Sequence, residues 1–394
     1  MADRKPLPTV SVIVPAFNAG ADLERCLGAI GRSDTHVTEC IVVDDASTDG
    51  SAKAAATRHG ARLLRLERQS GPAVARNLGA ASASGEVLMF VDADVLLHEG
   101  AIRRALEELE DAPDVVAVFG SYDEQPDHSS FLSQYRNLYH HWNHQVGSPE
   151  ASTFWSGCGA VRRSAFETVG GFSADFGAPS IEDVELGYRL RAAGFRIRLA
   201  KDMLATHLKR WTFRDMIKTD LFRRAIPWVV LLRRFPDAPP DLNINWRARV
   251  ATAAAGLLAL SLLFLLPSNS QAILPFLAAL LVCLGCVAAA DRDGRSERGF
   301  AGAGLLAVVL LLALPATAWF LAPAPWAALP LGLAMLVALT QWGFLVFLAG
   351  HRGLVFTLAT IPLLLLFFLS CALAVPLGLL KSWFGDNNKR ETDT

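Results

Sequence analysis

The strongest constraint in the sequence is a series of long apolar stretches that follows Arg249. About five of them are long enough to cross a bilayer. They cover residues 250–266, 272–290, 300–321, 327–349 and 354–380. Most of the charged residues precede them, so we expect a soluble domain followed by a transmembrane domain of about five helices over residues 249–380 and a polar tail over 381–394.

The charges between the apolar stretches predict their orientation. Residues 267–271 and 322–326 are uncharged, whereas residues 291–299 contain three Arg and residues 350–353 contain one. Cytoplasmic loops are enriched in Lys and Arg, so the N-terminal domain is predicted to be cytoplasmic, at the inner membrane if the protein is bacterial. The first residues do not read as a signal peptide, which leads to the same expectation. The topology of the last stretch stays open, because it is long and contains Pro362 and Pro376.

Charge and cysteine content exclude other classes of protein. The net charge is -1, and the soluble part has no basic stripe with interleaved aromatic residues, so nucleic acid is not an expected partner. The six cysteines are scattered without a disulfide-like framework. Cys283 and Cys286 lie within an apolar stretch, where thiols usually act as small packing groups.

Residues 10–200 alternate between short β-branched runs and amphipathic helical segments. The candidate strands are 10–14, 41–43, 62–66, 87–91 and 115–119. The candidate helices are 21–30, 51–58, 73–83 and 99–110. This alternation predicts an α/β domain with a mostly parallel sheet and helices on both faces. Ligands are then expected at the carboxyl ends of the strands.

Residues 213–248 mix basic and aromatic side chains. Such a composition is typical of an interfacial amphipathic segment, in which cations meet anionic headgroups and aromatic rings lie in the boundary layer. The alternative is a soluble helix with a solvated basic face.

Two candidate strands end in carboxylates. Asp92 and Asp94 follow the strand 87–91, and this spacing can place oxygen ligands around one divalent cation that neutralises a diphosphate. A solvated turn is the alternative. Asp44 and Asp45 follow the strand 41–43, where a carboxylate can accept a hydrogen bond from a nucleobase or a ribose hydroxyl. We favour that role for Asp45, and helix capping for Asp49.

Two further charged groups stand at helix starts. Arg76 follows a Gly-Pro turn and could clamp a phosphate through two hydrogen bonds. The chain has no Walker A sequence and no GxGxxG after a strand, so metal and side chains are expected to hold phosphate. Glu182 and Asp183 begin an amphipathic helix, where negative charge suits the helix dipole. Alternatively, Asp183 could take a proton from an acceptor hydroxyl, which is a weak nucleophile without a base.

Taken in order, these motifs resemble those of the family 2 glycosyltransferases over residues 9–212. They are residues 10–18 with Pro15, Phe17 and Asn18, residues 44–50, Arg76 with Asn77, residues 92–94, and residues 182–183. The resemblance implies a GT-A fold, an inverting mechanism, a nucleotide-diphospho-sugar donor and a divalent metal, Mg²⁺ or Mn²⁺. It further implies that Asp45 contacts the base, that Asp92 contacts the ribose or sugar, that Asp94 binds the metal with Asp92 beside it, and that Asp183 is the general base.

The run from His207 to Trp211 looks like the (Gln/Arg)xxArgTrp motif of processive synthases and ceramide-type glucosyltransferases in this family. There the motif holds the diphosphate and the acceptor. His207 stands in the Gln/Arg position, which disfavours processive polymer synthesis. The resemblance also places the small-residue segment with Trp155 and Gly157 near the donor sugar and acceptor.

The resemblance and the motifs together define the candidate site. The predicted donor-binding residues are Pro15, Phe17, Asn18, Asp44, Asp45, Arg76, Asp92, Asp94, Arg210 and Trp211. The predicted catalytic residues are Asp183 and Glu182, and the predicted acceptor-side residues are Trp155, Gly157 and His207.

The function hypothesis is inverting transfer of a sugar to a hydroxyl of a membrane lipid or lipid-linked acceptor. Transfer to polyprenyl phosphate and processive polysaccharide synthesis are alternatives within the same chemistry. From another class comes a non-catalytic nucleotide-binding membrane scaffold, which donor-dependent release of nucleoside diphosphate would rule out. The sequence leaves open the sugar, the nucleotide and the oligomeric state.

Overall fold

The computed structural model describes residues 6–176, 178–239, 241–265 and 328–392. The chain divides into two compact units. The first comprises Met1–Asp127, Asn143–Lys209 and Phe235–Leu242, and the second comprises His128–Trp142, Arg210–Arg234 and Asn243–Thr394. In this division residues 128–142 and 210–234 belong to the second unit and residues 235–242 to the first, and the predicted domain boundaries stay a prediction.

The first unit is built on one sheet flanked by helices. Its strands are β1 (Val10–Ala16), β2 (Glu39–Asp44), β3 (Arg62–Arg65), β4 (Val87–Val91), β5 (Val95–Leu97), β6 (Val115–Tyr122), β7 (Glu150–Ala151), β8 (Cys158–Arg162) and β9 (Arg196–His207). Its helices are α1 (Gly20–Gly31), α2 (Ser51–His59), α3 (Pro72–Ser82), α4 (Ala101–Asp111), α6 (Arg163–Thr168) and α7 (Glu182–Ala192). Helix α5 (Phe131–Val146) crosses the division between the units.

The sheet is mixed rather than mostly parallel. Its order is β3-β2-β1-β4-β8-β6-β9-β5, and β7 pairs with β9. The first four strands are parallel, as are β6 and β9. Strand β8 runs antiparallel to both β4 and β6, and β5 and β7 run antiparallel to β9. The prediction of a mostly parallel sheet therefore holds for β1 to β4 and is wrong for the half that contains β5 to β9.

Both faces of the sheet are covered by helices, as predicted. In β1, Val12 and Val14 pack into a core with α1, α2 and α4, while Ile13 packs into a second core with α3, α6 and α7. This division follows from the two-residue repeat of a strand, which sends successive side chains to opposite faces. Because both cores are apolar, β1 is buried along almost its whole length and reads as an apolar run rather than an alternating one.

The second unit is helical. After α5 it contains α8 (Phe213–Lys218), a π-helical segment (Thr219–Ala225), α9 (Ile226–Arg234), α10 (Trp246–Leu265), α11 (Ala328–Thr340), α12 (Trp342–Arg352) and α13 (Leu354–Thr392). Within the described residues, the windows Trp246–Leu263 and Leu354–Phe384 are long and apolar enough to cross a membrane. The predicted spans 272–290 and 300–321, the segments 267–271 and 291–299, and Cys283 and Cys286 lie outside the described residues.

The predicted single span over residues 327–349 is a bent pair of helices. Helices α11 and α12 meet at an angle of 67° and would form either a broken span or a re-entrant loop. The break falls at Gln341, directly after Thr340, whose hydroxyl donates to the Val337 carbonyl at 2.7 Å. A side-chain hydroxyl that bonds back to the preceding turn is a known source of helix bending.

The predicted interfacial segment, residues 213–248, presents few of its aromatic rings to the surroundings. Phe222 and Trp246 are exposed, whereas Trp228 is buried. Phe235 packs against Tyr188 in the first unit, with ring centroids 5.5 Å apart. An interfacial role for the segment stays a prediction, and it would depend on Phe222, Trp246 and the basic side chains.

Candidate functional site

The loop after β1 is joined to the loop after β2. The backbone N–H of Asn18 donates to Ser47 Oγ, and Asn18 Oδ1 accepts from the backbone N–H of Thr48, both at 2.9 Å. Asn18 has a φ of 47°, a left-handed conformation that Asn adopts more readily than most residues. Pro15 lies within β1, and Phe17 is exposed at the start of the loop. The residues predicted to face the donor thus form one fixed edge beside the carboxyl ends of β1 and β2.

Asp44 and Asp45 are both buried, and the carboxylates hold different partners. Asp44 accepts from the backbone N–H of Ser47 at 2.8 Å and from the Arg65 guanidinium at 2.9 Å. Asp45 accepts from the backbone N–H groups of Ser70 and Gly71, at 2.7 and 2.9 Å. Asp44 therefore shapes its own turn, whereas Asp45 fixes the turn that starts α3. Contact of either residue with a nucleobase stays a prediction.

The sequence predicts that Arg76 clamps a phosphate. In the structure, however, its side chain does not lie open to one. Its side chain is only 4% exposed. One terminal nitrogen donates to Glu182 at 2.9 Å, the other donates to Asp92 at 2.6 Å, and the guanidinium lies over the Phe172 ring at 5.4 Å. The pKa of Arg76 is raised although burial opposes this, because Asp92, Glu182 and Asp183 surround it. Arg76 therefore joins the carboxylates of β4 and α7 from within the domain.

Glu182 is the first residue of α7, as predicted, and a catalytic role for it stays a prediction. Its carboxylate accepts from Arg76 and, at 2.9 Å, from the backbone N–H of Ser180. The residue is buried, so its carboxylate is committed to holding the start of α7. We assign it a supporting position in the site, next to the residue that is better placed for chemistry.

That residue is Asp183. Its Oδ1 accepts from the backbone N–H of Val184 at 2.8 Å, and its Oδ2 accepts from the backbone N–H of Ser156 at 3.2 Å. Burial raises the pKa of the Asp183 carboxyl to about 6, with Glu182 as the next contribution, while Arg76 and the Ser156 N–H act in the opposite direction. A carboxylate oriented in this way is ionised at neutral pH and is close to the range in which it can accept a proton.

Asp94 and His207 lie at the same edge of the sheet. His207 Nε2 is 3.4 Å from Asp94 Oδ2, and the His207 ring stacks on Tyr122 with centroids 4.4 Å apart and planes 12° apart. Burial alone would raise the pKa of the Asp94 carboxyl, but His207 lowers it below its usual value. The sequence assigned His207 to the acceptor side, whereas the structure places it against the predicted metal ligand.

Asp92 and Asp94 fit a divalent cation that is shared with a ligand. In the part of the chain that the structure describes, no three His, Cys, Asp or Glu side chains converge closely enough to hold a metal by themselves. The Asp92 and Asp94 side chains are 33% and 34% exposed, so carboxylate oxygens remain accessible. Such oxygens suit Mg²⁺ and Mn²⁺, which commonly complete their coordination with substrate phosphates and water.

The segment with Trp155 and Gly157 contacts both the Tyr122 ring and the backbone of Asp92. The Trp155 ring packs edge-on against Tyr122 at 4.6 Å. A Cβ at Gly157 would lie 2.6 Å from the Trp155 indole, and the Gly157 carbonyl accepts from the backbone N–H of Asp92 at 3.3 Å. A larger residue at this position would therefore displace the Trp155 ring. A contact of this segment with an acceptor stays a prediction.

Sequence reasoning missed Ser156 and Tyr122. The Ser156 backbone N–H and hydroxyl both donate to Asp183 Oδ2, at 3.2 and 3.4 Å; the sequence singled out the segment that contains Ser156 but gave no signal for this contact. Tyr122 ends β6, and the rule that ligands lie at strand ends could have found it, had the strand 115–119 been extended by three residues.

Arg210 and Trp211 belong to the second unit. Trp211 is buried; its backbone N–H donates to Ser133 Oγ at 2.8 Å, and its indole N–H donates to Asn137 Oδ1 at 3.3 Å. Arg210 is exposed. The Trp211 side chain is thus a packing group of the helical unit, and a donor contact of either residue stays a prediction.

Comparison with known proteins supports a glycosyltransferase class for the first unit. Residues 11–170 match the model of glycosyl transferase family 2. The chain is 27% identical over 229 residues to validoxylamine A glucosyltransferase of Streptomyces hygroscopicus subsp. jinggangensis, covering 50% of this chain and 54% of that protein. It is 30% identical over 254 residues to pre-mycofactocin glycosyltransferase of Mycobacterium tuberculosis, covering 61% and 51%.

The chain spans about half the length of these two relatives. Among solved structures, it is similar to the mannosyltransferase PcManGT from Pyrobaculum calidifontis in complex with GDP-Man and Mn²⁺, with a TM-score of 0.47 and 20% identity over 94% of this chain and 90% of that one. The family match and the relatives support a glycosyltransferase assignment for residues 11–170.

Proposed function

We propose that the protein is an inverting, divalent-metal-dependent glycosyltransferase of family 2. It transfers a sugar from a nucleotide-diphospho-sugar to a hydroxyl of a membrane lipid or lipid-linked acceptor. The donor is held along the carboxyl edge of the sheet, and the acceptor hydroxyl meets Asp183 at the start of α7.

The observation that carries this proposal is the joining of two distant segments by Arg76. One terminal nitrogen holds Asp92 after β4, and the other holds Glu182, which is 106 residues away and next to Asp183. The carboxylates suited to a metal–diphosphate complex and the carboxylate suited to proton removal are therefore kept in one site. The oriented carboxyl of Asp183, whose pKa is raised by burial, favours a catalytic role over nucleotide binding alone.

The chain's own residues can perform the steps of such a transfer. Asp183 would take the proton of the acceptor hydroxyl while that oxygen attacks the anomeric carbon, and the bond from this carbon to the diphosphate would break. Asp92 and Asp94 would hold Mg²⁺ or Mn²⁺ together with the donor's diphosphate oxygens. When bound, the cation would neutralise charge on the leaving nucleoside diphosphate. His207 would orient the Asp94 carboxylate.

A lipid acceptor is supported by the apolar helices of the second unit. Two of the described helices are long and apolar enough to cross a membrane. A catalytic domain tethered at a bilayer encounters lipid-borne substrates at a raised effective concentration. The exposed rings of Phe222 and Trp246 are suited to the same boundary layer.

The test is a screen of radiolabelled nucleotide sugars against native membranes that contain the protein, followed by mass spectrometry of the labelled lipid. We expect one donor to label a lipid, and Asp183→Asn to abolish nearly all of the label. Asp111→Asn, at the exposed end of α4, is the matched control and should keep full activity.

The outcomes separate the acceptor classes. If Asp183→Asn retains substantial transfer and the product is a polyprenyl-phosphate sugar, the acceptor is a phosphate, which needs less assistance from a base. If none of the nucleotide sugars releases nucleoside diphosphate in a protein-dependent way, the enzymatic proposal is wrong and the scaffold hypothesis replaces it.

A further inference from the structure

Three side chains form a cluster at the ends of the strands β5, β6 and β9, at the edge of the sheet that carries Asp94 and His207. It consists of Asp123, which follows β6, Thr206, the penultimate residue of β9, and His98, which follows β5. Asp123 Oδ2 accepts a hydrogen bond from the Thr206 hydroxyl and lies 2.9 Å from His98 Nε2. One carboxylate thus contacts side chains from the two other strands at this edge.

The cluster adds to the backbone bonds of the sheet. The backbone N–H of Asp123 donates to the Ala205 carbonyl at 2.9 Å, and that of His98 donates to the Leu204 carbonyl at 3.1 Å. These bonds do not depend on the side chains. Loss of the Asp123 carboxylate should therefore leave the strands paired while freeing the ends of β5 and β9 to shift.

The cluster lies close along the chain to both groups of the candidate metal site, next to His207 at the end of β9 and across the three residues of β5 from Asp94. Thr206 directly precedes His207, and β5 begins at Val95, the residue after Asp94. Val95 and His207 are register partners, and the backbone N–H of Leu208 donates to the Asp94 carbonyl at 2.9 Å. Tyr122, on which the His207 ring stacks, directly precedes Asp123.

We propose that Asp123, acting through Thr206 and His98, is the positioning residue that sets the Asp94–His207 pair for divalent-cation binding. This inference rests on the proposed metal-dependent transfer. The three side chains need no contact with the cation or the donor. Their effect is to fix where the ends of β5 and β9 lie, since a displacement of a few tenths of an ångström between Asp94 and His207 alters the orientation of the carboxylate that would hold the ion.

The test measures Mn²⁺ binding to the detergent-solubilised full chain, without turnover, by calorimetric titration. Asp123→Asn and Thr206→Val should each raise the dissociation constant for Mn²⁺ roughly tenfold. His98→Ala should also raise the dissociation constant for Mn²⁺, but by less. His98→Gln should bind Mn²⁺ as the wild type does, because its side-chain amide can still donate to Asp123. In a transfer assay, the Mn²⁺ concentration for half-maximal rate should rise while kcat changes little.

The matched control is a second His–carboxylate pair outside the site. His59 Nε2 lies 2.8 Å from Glu24 Oε1, between α2 and α1. His59→Ala should bind Mn²⁺ as the wild type does. Thermal unfolding of all variants should show similar transitions, which separates loss of positioning from loss of fold.

The outcomes distinguish this inference from the proposed function. If Asp94→Ala weakens Mn²⁺ binding but Asp123→Asn and Thr206→Val do not, the positioning role is overturned and the metal site stands. If Asp94→Ala itself leaves Mn²⁺ binding unchanged, the proposed metal site is wrong, and the positioning role fails with it.

Discussion

The backbone N–H of Ser156 donates a hydrogen bond of 3.2 Å to Oδ2 of Asp183. The second carboxylate oxygen accepts from the backbone N–H of Val184 at 2.8 Å. The Ser156 hydroxyl also donates to Oδ2, at 3.4 Å, so the carboxylate is held by Ser156 from the segment after β7 and by the first turn of its own helix. A general base needs such a fixed direction, because proton transfer depends on the geometry toward the acceptor hydroxyl.

The first prediction concerns pH. Burial raises the pKa of Asp183 to about 6, and the carboxyl must be ionised to accept a proton. We therefore expect kcat/KM for transfer to be constant at neutral pH and to fall as the pH is lowered through about 6. Glu182→Gln removes a neighbouring negative charge that raises this pKa, so the fall should move to lower pH.

Initial rates over the acid and neutral range check both statements. Asp111→Asn, on the exposed end of α4, should leave the profile where it is. A profile that is flat through pH 6 in the wild type would remove Asp183 from the role of base. A shift of the Glu182→Gln profile to higher pH would show that Glu182 acts mainly through Arg76.

The second prediction concerns the metal. Asp94→Ala should abolish transfer while leaving thermal unfolding nearly unchanged, since the side chain is 34% exposed and its removal costs little packing. An excess of chelator should inhibit the wild type, and added Mn²⁺ or Mg²⁺ should restore it. Asp111→Ala serves as the control for loss of an exposed carboxylate. Full activity in excess chelator would contradict the metal role.

The sequence predicted the first half of the sheet well and the second half poorly. Strands β1, β2 and β4 are short apolar runs buried on both faces, so composition alone identified them. Strand β8 contains Gly159 and ends in Arg162, and β9 is interrupted by irregular register against β6. Such strands are defined by their neighbours in the sheet, and a single sequence does not contain that information.

The candidate site shows the same limit. The motifs predict Asp92, Asp94 and Asp183 in one site; in the structure Arg76 joins Asp92 to Glu182, the neighbour of Asp183, and the roles of the three carboxylates stay a prediction. The motifs could not show that Arg76 faces inward, because an Arg on a helix start is compatible with an exposed clamp or a buried ion pair. The partners that decide this, Asp92 and Glu182, are 16 and 106 residues away along the chain.

The third prediction concerns topology. Residues 291–299 carry three Arg and residues 267–271 carry no charge. By the positive-inside rule, a reporter fused within 291–299 should be cytoplasmic, and one within 267–271 should not. Paired phosphatase and fluorescent-protein fusions at both positions measure this. The opposite pattern would place the first unit away from a cytoplasmic supply of nucleotide sugar.

The last prediction separates a structural role of Arg76 from a phosphate-binding role. Arg76→Met removes the guanidinium charge that lies among the carboxylates of Asp92, Glu182 and Asp183. Removing one partner of a buried ion pair typically costs about 3–5 kcal/mol, so chemical denaturation should show a large loss of stability. The matched control is Arg25→Met, which breaks the exposed Arg25–Asp127 pair at 2.6 Å. An exposed pair contributes about 0–1 kcal/mol, so this variant should unfold almost as the wild type does.

Arg76→Lys keeps the charge but cannot span both carboxylates, and its stability should fall between those of Arg76→Met and Arg25→Met. If Arg76→Met is instead as stable as Arg25→Met and loses only affinity for the donor, then Arg76 is the phosphate clamp that the sequence first suggested, and the buried bridge does not hold the site together.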